Sequence, residues 1–336
     1  MMSSVEAQPV TPLKANSQPL LAGSGGRRLR RLWLRLLMFF SPIVLIVAPT
    51  IYWIDPFDLF HKNSPLPPDL RYHYAKPINQ TLWKVLAFNR DPKPNVLLGD
   101  SQVAQLPEGL ISSLTGEPYA NLGAGGATLR EKMDMFWFAS RKLSLKHVYF
   151  EVNFMGYNAY PTNRVPQAEG IVKVPVLYVL NSDVLEAGAY DIADAVFHHR
   201  TNLGTHLDRD AFWRIQLQSL TRQYKRDADP GSLRDQLRAI VKYSREHGIA
   251  FVFVIPPQHM DAQRRVPELG VEDQYEQFKN DLAGMATVYD CDIDSSFTRD
   301  KNNFSDPFHL EDRAANQLVT DLWSGHPTLC RTLGSK

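Results

Sequence analysis

The stretch NVLLGDSQVAQL, residues 95–106, runs apolar from Val96 to Leu98 and then breaks at Gly99-Asp100-Ser101. A short apolar run that ends in such a turn predicts a buried strand whose carboxyl end presents a serine. Gly, Asp and Ser are favoured in turns for local reasons, so the tripeptide alone does not separate a turn serine from a nucleophile. The rest of the chain has to decide.

Beyond that stretch, strand-like and helix-like segments alternate. Strand candidates are 96–98, 119–122, 147–152, 250–255 and 286–289, each short, apolar and bounded by Gly, Pro, Asn or Asp. Such runs suit parallel strands buried on both faces. Helical patterns fall between them at 129–141, 232–247 and 272–282, with a last one at 311–323. This alternation predicts an α/β fold with a doubly wound parallel sheet. Residues 155–230 interrupt it with helical pieces at 183–197 and 208–224 and read as an insertion after the third strand. At that place an insertion is either a lid or substrate platform beside the ligand crevice or a helical hairpin that braces one edge.

The chain has 336 residues and a net charge of +1, so length allows a large core and bulk charge gives no reason to expect a nucleic-acid partner. The N-terminus is organised differently. Residues 1–26 are rich in Ser, Pro, Gln, Ala and Gly and read as disordered. A basic cluster, Arg27, Arg28, Arg30, Arg31 and Arg35, is followed by an uncharged run over 36–54. About 20 apolar residues match the thickness of a bilayer core. Trp33, Tyr52 and Trp53 stand at its ends as interfacial aromatics do. The run is longer than a signal-peptide core and no small-x-small cleavage site follows. The expectation is a cytoplasmic tail (1–32), a transmembrane anchor (33–54), a proline-rich lead-in (55–94), a catalytic domain (95–325) and a tail (326–336). Arginines on the N-terminal side place the N-terminus in the cytoplasm and the body outside it, periplasmic in a bacterium. Two cysteines, Cys291 and Cys330, either stay free or pair if that compartment is oxidising.

Four strand ends carry suggestive residues. Ser101 ends the first strand, and NLGAGGAT after the second holds Gly126. The third, HVYFEVNF, places Asn153 where the strand emerges, and Asp306 and His309 stand in FSDPFHLED before the last helix. Serine needs a base within hydrogen-bond reach. An imidazole serves, and a carboxylate on its other nitrogen fixes the tautomer. A D-x-x-H turn supplies both, while the Ser101 N–H, the Gly126 N–H and the Asn153 amide could receive a developing oxyanion. Taken singly, each has a plainer reading: Asp306 and His309 as a helix cap, the glycines as a loop. Gly123-x-Gly125 is no dinucleotide fingerprint, because no third glycine follows at 128.

In this order, Gly99-Asp100-Ser101, Gly126, Asn153 and Asp306-x-x-His309 resemble the four blocks of the SGNH (GDSL) hydrolase superfamily. Asn121 to Thr128 is similar to its second block, N-x-x-x-x-G-x-T. The third block departs from the usual G-x-N-D, since Val152 precedes Asn153 and Phe154 follows it. The resemblance implies a three-layer, flavodoxin-like sheet, Ser101 as nucleophile, His309 as base, Asp306 as its orienting partner, and an oxyanion hole from Ser101, Gly126 and Asn153. The N-terminal run, the lead-in IDPFDLF and FVFVIPP before the late D-x-x-H resemble the membrane-anchored branch related to alginate O-acetylation proteins. That likeness implies an acetyltransferase or acetylesterase acting on a polysaccharide, with a multi-spanning membrane O-acyltransferase as partner. A non-catalytic scaffold of a polysaccharide acetylation or export complex is the alternative. His259 and Asp100 are secondary candidates for substrate contacts, with His259 also a rival base. His198 and His199 lack further ligands nearby, so neither metal nor cofactor is expected.

Overall fold

The computed structural model describes residues 24–60, 64–198, 200–203, 208–225, 229–325 and 327–334. These fall into two compact units, 1–50 and 51–336.

In the first unit, helix α1 spans Ser24–Pro42 and a π-helical turn covers Ile43–Val47. Helix α2, Ala48–Ile54, begins at the end of this unit, and its residues from Ile51 onward belong to the second. The arginine cluster is therefore helical from Ser24 onward, and the tail expected before it lies outside the described residues. The anchor expected over 33–54 does not form as one regular α-helix. Pro42 and Pro49 each lack the N–H that would donate to the preceding turn, and the backbone departs from α geometry between them. No helix among the described residues is long and apolar enough to cross a membrane.

The second unit continues with α3 (Pro68–Ile78) and α4 (Gln80–Arg90) and then builds a six-stranded sheet. Its strands are β1 (Asn95–Leu98), β2 (Tyr119–Asn121), β3 (His147–Glu151), β4 (Ala250–Ile255), β5 (Val288–Asp290) and β6 (Arg331–Leu333), in the order β2-β1-β3-β4-β5-β6. The first five run parallel, as expected; β6 is antiparallel to β5. Residues 331–333 fall in the segment expected as a tail, because RTL has too few apolar residues to announce a strand. Long-range bonds hold it: Asp290 Oδ2 accepts from Lys279 Nζ and Arg331 Nε, both at 2.8 Å, and Cys291 is disulfide-bonded to Cys330.

Helices cover both faces of the sheet. After β1 come α5 (Ser101–Ala104) and α6 (Glu108–Thr115), and α7 (Leu129–Ser140) follows β2. The insertion after β3 contributes α8 (Val165–Lys173), α9 (Pro175–Val179), α10 (Ser182–Phe197) and α11 (Arg209–Tyr224). Helix α12 (Ser232–Glu246) leads into β4, α13 (Glu272–Ala283) into β5, and α14 (Asp312–Leu322) precedes β6. Strand side chains alternate between faces. Phe150, Phe251 and Phe253 form one layer with Phe136 of α7. On the other face, Leu97, Tyr119 and Val254 join Ile111 of α6 and Leu318, Val319 and Leu322 of α14.

Within the insertion, Asp191 of α10 is fully buried, and neither of its carboxylate oxygens has a hydrogen-bond partner among the described residues. Burial pushes its pKa up to about 8; Arg71 opposes this and the charge of Asp194 adds to it. The folded pKa thus lies above the ordinary value, so the stability linked to its proton is complete below about pH 4. It is lost as pH rises towards the folded value, by about 1.4 kcal/mol per pH unit. Asp191→Asn is expected to remove that slope, so that urea unfolding at pH 5 and pH 8 shows the variant gaining more on the wild type at pH 8 than at pH 5.

Candidate active site

Strand β1 is buried along its length and ends at Gly99. A Cβ at Gly99 would lie 2.5 Å from Val103 Cγ2 and 2.8 Å from Glu151 Oε2, so only glycine lets the backbone pass there. Asp100 then caps α5, its Oδ1 accepting from Gln102 N at 2.9 Å. Ser101 occupies the first position of that short helix. From the other end of the chain, the loop before α14 delivers His309. Its Nε2 lies 2.7 Å from Ser101 Oγ, and its Nδ1 lies 2.6 Å from Asp306 Oδ2. The other Asp306 oxygen accepts the backbone N–H groups of Phe308 and His309, each at 3.0 Å. One carboxylate thus folds the turn with Oδ1 and orients the imidazole with Oδ2. With Nδ1–H donating to Asp306, Nε2 is left to accept from the serine hydroxyl. Burial pulls the His309 pKa down, but the hydrogen bond and charge of Asp306 outweigh it and hold the pKa above the ordinary value.

Residues 121–128 serve both structure and site. Asn121 Nδ2 donates to Val103 O and Leu106 O at 2.7 and 3.0 Å, tying β2 to the segment after Ser101. Thr128 caps α7 in a capping box with Glu131. Gly126, at φ 63°, lies in the left-handed region, and nothing stands within 4 Å of the place a Cβ would take. It borders, with Asp100, a crevice of about 900 Å³. The far walls are Met155 to Pro161, after β3, and Ser219, Arg222 and Gln223 of α11. The insertion therefore borders the crevice with its first residues and its last helix. Neither the Ser101 N–H nor the Gly126 N–H has a protein acceptor among the described residues.

Asn153 is placed differently from the expectation. It is buried at the end of β3, where its Nδ2 donates to Asp100 Oδ2 at 2.7 Å and to Gln102 Oε1 at 2.8 Å. Its Oδ1 accepts from Gly156 N at 2.7 Å. Both amide hydrogens are engaged, so Asn153 presents no free donor to an oxyanion. His259, the candidate substrate contact and rival base, is also redirected. It is buried between Trp213 and Phe304, and its Nδ1 accepts from Asp261 N at 3.1 Å. Proline-flanked PPQH turns the chain inward there, and His259 caps the short helix Met260–Gln263. Asp100 does border the crevice, but its carboxylate is occupied by Gln102 N and Asn153 Nδ2. His198, at φ 52°, caps α10, and His199 lies outside the described residues. Among the described residues no cluster of three or more His, Cys, Asp or Glu could hold a metal.

Two participants escaped sequence reading. Lys132 of α7 and Glu151 of β3 are buried and paired, Nζ to Oε2 at 2.7 Å. The same Glu151 oxygen accepts the backbone N–H of Asp100 at 2.8 Å. A signal existed: Leu129, Lys132, Met133 and Phe136 form one buried stripe at helical spacing, and a lysine inside such a stripe needs a buried partner. Burial and the Asp100 charge push the Glu151 carboxyl up, while Lys132 opposes them.

No protein-family model matches the sequence, and no curated protein matches it. Among solved structures, the chain is similar to a protein described as a lipolytic member of the G-D-S-L family from Desulfitobacterium hafniense. The two share 12% identity over 66% of this chain and 93% of that one, with a TM-score of 0.31. It is also similar to a protein described as a platelet activating factor from Streptococcus pneumonia, at 14% identity over 74% and 94%, TM-score 0.36. A protein described as an acylhydrolase from Bacteroides fragilis aligns at 14% identity over 70% and 94%, TM-score 0.30.

Proposed function

We propose that the chain is a serine acyl-transfer enzyme of the SGNH type, acting through an acyl-Ser101 intermediate. The observation that carries this is the relay of short contacts from Ser101 Oγ through His309 to Asp306, at 2.7 and 2.6 Å. His309 Nε2 takes the hydroxyl proton as Ser101 Oγ bonds to the acyl carbonyl carbon. The carbonyl oxygen gains charge, which the N–H groups of Ser101 and Gly126 receive. Collapse breaks the bond to the leaving oxygen, and that oxygen takes the proton back from His309. An acceptor hydroxyl then gives its proton to Nε2 and attacks the acyl carbon, freeing Ser101.

The acceptor we infer is a saccharide hydroxyl, so that acetyl moves onto, or off, an envelope or secreted polysaccharide. Support comes from the crevice, which half-exposed Tyr160 lines together with Asn158, Ser219 and Gln223. An aromatic face with amide and hydroxyl groups around it suits a sugar ring. Tyr160→Ala is expected to raise the KM for an oligosaccharide acceptor about fivefold, as read from initial rates at varied acceptor concentration. The uncharged run 36–54 behind its arginines supports membrane attachment, with the body outside the cytoplasm. Exposed Trp33, Leu37 and Met38 on α1 fit a lipid environment. The Cys291–Cys330 disulfide suits an oxidising compartment. A multi-spanning O-acyltransferase would supply the acyl group there.

The test is incubation of the full chain with p-nitrophenyl acetate, with and without oligosaccharide, followed by mass spectrometry. One acetyl on the Ser101 peptide and acetylated sugar are expected. No acyl-enzyme after rapid quench, with no ester turnover, overturns the reading.

A further inference from the structure

A continuous set of buried hydrogen bonds runs beneath Ser101 and ends at the loop of its base. Lys132 Nζ donates to Glu151 Oε2, which also accepts from Asp100 N. Lys132 Nζ lies 3.7 Å from Asp100 Oδ2, the oxygen that takes one proton of the Asn153 amide. The second amide proton goes to Gln102 Oε1, and Gln102 Nε2 donates to Phe308 O at 2.9 Å, one residue before His309. Helix α7, strand β3, the Ser101 turn and the His309 loop are thereby joined by side chains that solvent scarcely reaches.

We propose that the Lys132–Glu151 pair is a positioning device for this site: through Asp100, Asn153 and Gln102 it aligns Ser101 with His309, and Asn153 belongs to that device and is not an oxyanion donor. The proposal rests on the acyl-transfer reading. A buried ion pair is poor evidence of a stability role, since apolar residues of like volume often stabilise a core more. Registry is its better-attested use, and registry is needed where four elements must meet at one hydroxyl. Saturation of Asn153 comes from the same geometry, because its amide has two protons and both have acceptors.

The device also has a charge count. With Lys132 protonated and Glu151 and Asp100 ionised, the three carry one net negative charge near His309, whose other charged neighbour among the described residues is Asp306. Glu151→Gln keeps an acceptor for Asp100 N and Lys132 but brings the trio to zero. Lys132→Met/Glu151→Gln removes both charges and returns it to minus one.

The experiment follows the His309 ring by NMR titration beside kcat, KM and pH profiles for p-nitrophenyl acetate. In Glu151→Gln, the His309 midpoint and the acid limb of kcat/KM are expected to fall by about 0.5 unit. In the double variant both return to the wild-type position. Lys132→Met is expected to lower kcat about 100-fold with KM nearly unchanged, as misalignment near a reacting centre does. Should it fail to fold, Glu151→Gln and the double variant carry the test. Unmoved His309 midpoints, with kcat within twofold of wild type, overturn the proposal. A wild type that turns over no ester overturns the acyl-transfer reading instead, and the titration still decides whether the pair acts on His309.

Discussion

Ser101→Ala is expected to lower ester turnover and acyl transfer by about 10⁵- to 10⁶-fold, to the level set by binding and the oxyanion donors alone. The size reflects what the substitution removes. Among the described residues no other hydroxyl is hydrogen-bonded to His309, so no second nucleophile is aligned to replace it. His309→Ala should cost about as much, since an unassisted serine hydroxyl is a poor nucleophile. Asp306→Asn is expected to cost about 10³- to 10⁴-fold, because an amide can present its N–H to Nδ1 and favour the wrong tautomer. The pH profile supplies the sign. His309 accepts the proton only when neutral, so activity falls as pH drops through its pKa. Asp306 holds that pKa above the ordinary value, which puts the acid limb above about pH 6.5. Asp306→Asn should move the limb down as well as lower the plateau. Stopped-flow or steady-state rates between pH 5 and 9 check both. Retention of wild-type turnover in Ser101→Ala, in a folded protein, would remove the nucleophile from the mechanism.

The second large effect concerns stability. Cys291 follows β5 and Cys330 precedes β6, so their bond closes a loop of 39 residues that contains the whole Asp306–His309 turn and α14. Cross-linking a loop of this length restricts the unfolded chain by about 4 kcal/mol in the chain-entropy picture. Cys291→Ser/Cys330→Ser, or reduction under native conditions, is therefore expected to cost about 3–4 kcal/mol. That loss should appear as a lower urea midpoint with a somewhat steeper slope, because the unfolded chain without the cross-link is less compact. Activity should follow stability, because the loop that carries the base lies within the closed segment. Thermal or urea unfolding with and without reductant measures it, and a midpoint indifferent to reductant would show that the bond adds nothing to the fold. The pairing with β5 and the contacts of Asp290 with Lys279 and Arg331 would then hold β6.

Much of the architecture was legible because it is written locally. A parallel strand buried on both faces must be a short apolar run, so 95–98, 147–151 and 250–255 announced themselves. The amphipathic stripes of 232–246 and 312–322 did the same at helical period. Asp306 and His309 were legible for a related reason: three residues apart in one turn, they can touch each other without help from the rest of the chain. The antiparallel edge strand was not, since RTL is held by an ion pair and a disulfide whose partners lie 39 to 41 residues away. The apolar run at 36–54 is helical in tendency, but its prolines break the regular α-helix that the run alone suggested.

What the sequence by itself determined about this protein is its order of strands and helices and the residue types poised at the strand ends. Those depend on hydrophobic period and turn chemistry, which act over a few residues. Only the tertiary structure decided what those strand-end side chains do. Ser101 meets His309 across 208 residues, Gln102 reaches the Phe308 carbonyl across 206, and Asn153 spends its amide on Asp100 and Gln102. Lys132 finds Glu151 only because α7 packs on the sheet beside β3. A hydrogen bond needs its partners within about 3 Å and in line, and no pattern along the chain records which distant atoms folding will bring that close.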